Sequence, residues 1–293
     1  LKEMGILSAN LKRLDKVSQT NEFTDSHVFD AMRLEVFRII TLGITGFDSP
    51  IAQKSIPEAA SALESIEKYY KIYADNSADE SFQNVLKTIK KGKEYLKTNT
   101  NFNAFDRAFF IQEIANPLSI GLHKTQVSLK IPFIKETRGL RTTAQTLFDK
   151  NAFDAEAFSA FPDYETTPEK IELGKLLFND PVLSGNNARS CASCHHSDKA
   201  FTDGLEKSVS LDGKSLVKRN TPTLTHIAFQ RAFFSDSRVN YLEDQAVAVI
   251  INENEMHGSL AKSVAALKKE ASYVAKFKKA LPKTAINEFG IKN

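Results

Sequence analysis

Tryptophan is absent from this 293-residue chain, and cysteine occurs only twice. No apolar run approaches the length that crosses a membrane. An excess of one charge is missing too: 39 basic residues against 36 acidic ones leave a net charge of +3, which argues against a nucleic-acid partner. Strand-like and helix-like segments do not alternate along the chain, which removes the setting a thioredoxin-type redox motif needs. What is present is 42% hydrophobic residues, enough for real cores rather than disorder, on a length that suits two domains. The aromatic weight rests on 21 phenylalanines and seven tyrosines.

The two cysteines stand close together in Cys191-Ala192-Ser193-Cys194-His195. Cys-x-x-Cys-His is the pattern of covalent c-type haem attachment, in which each thiol adds to a vinyl group and the adjacent imidazole binds the iron. A redox disulfide and half a zinc site completed by His195 or His196 are the alternatives. No second cysteine pair exists to finish a zinc knuckle, and one disulfide over so short a loop would add little stability. Haem is the favoured reading. Covalent haem is attached outside the cytoplasm, so the periplasm is the expected compartment; the chain opens at Leu1 without a signal sequence, and a leader is expected to have been removed.

Residues 1–150 carry helical spacing. Leu7, Leu11, Leu14 and Val17 form one apolar stripe, Val28, Met32, Val36 and Ile40 a second, and Leu63, Ile66 and Tyr70 a third. Gly43, Gly46 and Pro50 break the second helix, and Pro57-Glu58 opens the third. Phe82, Leu86 and Ile89 mark a fourth; Phe102, Phe105, Phe109 and Ile114 mark a fifth, expected to stop at Asn116-Pro117. The lysines at 87, 90, 91, 93 and 97 read as a solvated helix face, and the lone histidines His27 and His123 are given no role. Residues 151–167 read as a linker, with turn chemistry at Phe161-Pro162-Asp163. Thr167-Pro168-Glu169 starts a helix with Ile171, Gly174 and Leu177 on one side, ending near Asn179-Asp180-Pro181. The fold class expected is all-α: an N-terminal helical bundle (1–150), then a cytochrome c-like haem domain (168–293).

Around the cysteine motif stand further fragments in a fixed order. They are Leu173-Gly174-Lys175-Leu176-Leu177-Phe178-Asn179-Asp180-Pro181, Phe201-Thr202-Asp203-Gly204, Arg219-Asn220-Thr221-Pro222-Thr223-Leu224, Phe233-Phe234-Ser235-Asp236-Ser237-Arg238, Leu242-Glu243-Asp244-Gln245 and Asn254-Glu255-Met256. From residue 168 onward the chain resembles the bacterial dihaem cytochrome c peroxidases, a family that includes the MauG enzymes. The N-terminal region lies outside that resemblance and has a faint likeness to imelysin-type bundles. The resemblance implies a haem peroxidase that reduces hydrogen peroxide with electrons from a small cytochrome c or cupredoxin; MauG-like oxidation of a protein and a non-catalytic electron carrier or sensor are the alternatives. It implies that Cys191, Cys194 and His195 hold the haem, His195 as iron ligand, and that Glu255 is the distal acid–base catalyst with Gln245 in the same pocket. Arg219, Phe234, Arg238 and Met256 are expected beside the haem, and Asn220 at a calcium ion. A homodimer is a further expectation.

Three departures qualify the likeness. Relatives place a distal histidine in the loop before Arg219, but residues 208–215 here contain none, so an open haem is expected. Ser235 stands where relatives carry a tryptophan, which leaves the electron route unassigned. The second Cys-x-x-Cys-His of the family is missing, and the chain is expected to be cut short of a second haem domain.

Overall fold

The computed structural model describes residues 2–20, 22–75, 79–161 and 165–293. More than half the chain is helical, 54%, and no strand forms among the described residues, so the fold is all-α. It divides into two compact units, Leu1–Phe153 and Asp154–Asn293. The turn read at Phe161-Pro162-Asp163 falls largely outside the described residues, because Pro162 and Asp163 are not among them.

In the first unit the apolar stripes become a core. Helices α2 (Asp25–Arg38), α3 (Ser55–Ala74) and α4 (Glu80–Thr98) bury Phe29, Met32, Val36, Leu63, Ile66, Phe82, Val85 and Ile89 against one another. Each such side chain contributes about 1.5–3 kcal/mol by leaving water. Helix α1 (Lys2–Thr20) departs from expectation: its spacing makes a helix, yet Leu7, Leu11, Leu14 and Val17 are all more than half exposed and join no core. Asp79 caps α4 by accepting the Ser81 amide at 2.8 Å.

The stop expected at Asn116-Pro117 does not occur. A short helix α5 (Arg107–Phe110), capped by Asp106, runs through a π turn (Ile111–Ala115) into α6 (Asn116–Ser128). Phe102 and Phe105 precede that helix rather than belonging to it, and Phe102 stacks under the Arg107 guanidinium at 4.6 Å. Pro117 has no amide hydrogen to give the Glu113 carbonyl, the penalty that usually ends a helix. The π turn widens the backbone just before the ring, and the Lys91 ammonium donates to the Glu113 carbonyl instead, at 3.3 Å. The lysine run is therefore more than a solvated face, since Lys91 also pairs with the Glu113 carboxylate and Lys93 with Glu67.

The irregular stretch 129–153 is fastened to these helices by charge. Arg138 grips Asp30 with both guanidinium arms, at 2.9 and 2.6 Å. Arg33 is buried and donates to the Thr142 carbonyl at 2.7 Å and to the Ala144 carbonyl. Burial pulls its guanidinium down to about 10, with Asp30 acting against the fall.

In the second unit, α7 (Pro168–Asn179) starts at Thr167, whose hydroxyl accepts the Lys170 amide. It buries Leu173 and Leu177, whereas Ile171 is 45% exposed and Gly174 has open space where a side chain would be. Of the expected face Leu177 is buried, and Leu173 joins it in place of Ile171 and Gly174. These leucines pack with Leu267 of α9 (Leu260–Leu267) and Phe277 of α10 (Ala271–Ala280). A smaller core joins Leu183 and Met256 to Ile250 of α8 (Leu242–Ile251), and α11 (Glu288–Lys292) closes the unit.

Candidate haem-attachment site

Ser184 to Ser190 bring the chain from the end of α7 into a 3-10 turn at Cys191–Ser193. The His195 amide donates back to the Cys191 carbonyl at 3.0 Å, so both thiols and the imidazole hang from one tight turn. The cysteines are free thiols, half-buried; burial first of all pushes both up from the ordinary thiol value. Asp203 and Glu255 add to the rise at Cys194, and Arg189 opposes it.

His195 Nδ1 lies 2.8 Å from the Phe201 carbonyl. A carbonyl can only accept, so the proton sits on Nδ1 and the Nε2 lone pair is free to bind a metal. Phe201 can present that carbonyl because Ala200 and Phe201 both take left-handed backbone angles, φ 53° and 59°. Two bonds hold them there: the Phe201 amide donates to the His196 carbonyl at 2.8 Å, and the Thr223 hydroxyl donates to the Ala200 carbonyl. Two thiols and one pre-aimed imidazole nitrogen are the donor set that haem c requires, and the residues fit it. Among the described residues no three His, Cys, Asp or Glu side chains gather, so the zinc alternative finds no ligand set.

Glu255 sits in a turn after α8, which ends at Ile251 as the asparagine-rich break requires. Its carboxyl is half-buried and is pushed above the ordinary carboxylate value by burial, with the Arg189 charge working the other way. The Asn252 side-chain Nδ2 donates to Oε1 at 3.1 Å. The turn is set against the segment entering the cysteine motif by two backbones that nearly touch. The Gly185 amide donates to the Met256 carbonyl at 2.9 Å. A Cβ on Gly185 would stand 2.0 Å from the His257 carbonyl oxygen, and one on Gly258 2.1 Å from that of Leu183. Only glycine fits either place.

The other expected residues are spread more widely. Gln245 is half-buried on α8, and Met256 is buried in the small core with Leu183 and Ile250. Phe234, at φ 64°, lies under the Arg238 guanidinium at 3.7 Å, and Arg238 also pairs with Asp236 at 2.7 Å. Arg219 and Asn220 are exposed; the Arg219 carbonyl accepts the Ser208 amide at the base of the 208–219 loop. That loop is a small hairpin with one bridge, Val209 to Leu216. Beneath it the Ser208 and Thr221 hydroxyls meet at 2.7 Å beside Asp203. Sequence reasoning missed Arg189, whose guanidinium donates to the Val209 and Ser210 carbonyls, and the part played by the Phe201 carbonyl.

A turn that offers two thiols and a free imidazole nitrogen belongs to the class of c-type haem domains. Residues 168–293 match the family model of the di-haem cytochrome c peroxidases, and the resemblance read from the sequence is borne out over that part of the chain. It is 40% identical over 114 residues to the methylamine utilization protein MauG of Methylorubrum extorquens, a match that covers 39% of this chain and 32% of the relative. It is 38% identical over 115 residues to the cytochrome c551 peroxidase of Pseudomonas aeruginosa, covering 39% and 33%. Among solved structures, a MauG-like protein associated with microbial copper homeostasis aligns with 31% identity over 44% of this chain and 39% of its own, at a TM-score of 0.42. The matched part spans about a third of the length of these curated relatives.

Proposed function

We propose that residues 168–293 form the peroxide-reducing haem domain of a c-type cytochrome peroxidase, working outside the cytoplasm with electrons from a small cytochrome or cupredoxin. The observation that carries this reading is Glu255: an acid held half-buried, with a raised proton affinity, close enough to the cysteine turn for its charge to act on Cys194. Cys191 and Cys194 would form the thioether links and His195 Nε2 the iron bond, with the Phe201 carbonyl fixing the imidazole plane. The haem, when bound, supplies the redox-active iron at which peroxide is split and into which the donor's electrons pass.

The chain's own residues manage the protons. Reduction of hydrogen peroxide to two waters consumes two electrons and two protons, and one oxygen must leave protonated. Glu255, ionised, can take the proton of the incoming peroxide and return it to the departing oxygen. Asn252 holds Oε1, which leaves Oε2 as the oxygen that exchanges the proton. A proton affinity above that of a free carboxylate suits both halves of the transfer.

Glu255→Gln in the haem-loaded protein tests this: peroxide turnover should fall by about 10²-fold or more, with an unchanged Soret band after acid–acetone extraction. Parental turnover in that variant rejects the assignment. The relatives named MauG favour a second reading, oxidation of a protein in place of a donor. Single-turnover reaction of the peroxide-treated protein with reduced cytochrome or cupredoxin separates the two.

A further inference from the structure

We propose that Arg189 is a positioning residue for Glu255: a latch that ties the 208–217 loop and the Glu255 turn to the segment entering the cysteine motif. This rests on the reading of Glu255 given above. The guanidinium of Arg189 is half-buried and is spent on main-chain carbonyls. Nη1 donates to Val209 at 3.0 Å and Nη2 to Ser210 at 2.8 Å, and Nη1 makes a longer contact of 3.5 Å with the carbonyl of Glu255 itself. Two parallel donors in a fixed plane hold a strand of carbonyls in one orientation, which a lysine cannot do.

The loop is clamped from its other side by the same turn. The Asn254 carbonyl accepts both the Leu211 amide at 2.8 Å and the Ser210 hydroxyl at 2.9 Å. Residues 209–211 are thus pinned between Arg189 and the residue preceding Glu255. Only Ser190 stands between Arg189 and Cys191, so any shift of the turn is felt at the attachment site.

Arg189 also brings a positive charge that acts on the Glu255 carboxyl. From the cysteine turn Glu255 is faced by Cys194, near which lies the buried Asp203. From its own turn come Asn252 and the exposed Glu253 and His257. Asp212, on the latched loop, is likewise within the field of Arg189.

The experiment uses the full haem-loaded chain as Arg189→Gln and Arg189→Lys beside the parent. Both variants lose the fork, so amide hydrogen exchange across 208–217, read at Leu211, should accelerate about tenfold or more. The acidic limb of the peroxide-turnover pH profile should move to higher pH in Arg189→Gln, where burial acts on Glu255 unopposed, and stay in place in Arg189→Lys, where the charge is kept. Parental exchange in both variants overturns the latch. A shifted loop with an unmoved acidic limb in Arg189→Gln overturns the link to Glu255. Should Glu255→Gln itself keep parental turnover, the reading of Glu255 fails on its own, and the exchange arm still decides the latch.

Discussion

Glu255 is held by one neutral hydrogen bond, from Asn252, and is otherwise surrounded well enough that burial dominates its titration. The folded chain therefore binds this proton more tightly than the unfolded chain does. Its contribution to stability is fully present below the ordinary carboxylate value, about 4.3, and is lost as pH rises through the raised one. At neutral pH the ionised group costs stability that a neutral amide of the same shape would not. Glu255→Gln should accordingly raise the melting temperature at pH 7 and leave it level with the parent near pH 4. Thermal unfolding of both proteins at the two pH values measures this, and an equal difference at both would contradict it. Stability spent at a single acid is what a group kept for proton transfer is expected to show.

Elements, not residues, decide where that acid stands. The chain running into the cysteine turn and the chain leaving the Glu255 turn cross at Gly185 and Gly258, with backbone oxygens where a Cβ would have to be. Gly258→Ala forces the two segments apart and should cost about 1–3 kcal/mol, seen as a lower melting temperature together with slower peroxide turnover. Gly174→Ala is the contrasting change: it lies mid-helix in α7 with open space around it and should gain about 0.5–1 kcal/mol with turnover unaltered. The same comparison explains what the sequence made legible. The cysteine motif was readable because its chemistry is local, fixed by residue type and spacing within five positions. Helices α2, α3 and α4 were readable because burial follows a 3.6-residue period. Arg189 was not, since its partners are main-chain carbonyls that any residue type could supply. Nor was the passage through Pro117, which depends on a lysine ammonium from another helix. On α7 Leu177 was placed correctly but Ile171 was not, because it is apolar yet 45% exposed, and apolar spacing alone cannot distinguish the two.

At the scale of the molecule, each hydrophobic core draws its residues from one unit: the large cluster from helices between Phe29 and Leu122, the two smaller ones from residue 173 onward. The family match follows the same division, beginning at residue 168. Separate cores make separate cooperative units, and a change deep in one should not reach the other. Asp30 is the place to try it. Its side chain is 12% exposed and takes both arms of Arg138, with the buried Arg33 guanidinium close enough to feel its charge. Removing it leaves Arg138 with only the more exposed Glu136 carboxylate, at 3.6 Å, and takes from the buried Arg33 the strongest of the opposite charges acting on it, a loss of about 3–5 kcal/mol, equivalent to roughly 10 °C in a unit of this size. Calorimetry of the haem-loaded Asp30→Ala chain should therefore show one transition lowered by that amount. The transition in which the Soret band changes should keep its parental midpoint, because the haem turn belongs to the other core. A single transition in the parent, or a Soret change that follows the first midpoint downward, would mean that the two units unfold as one.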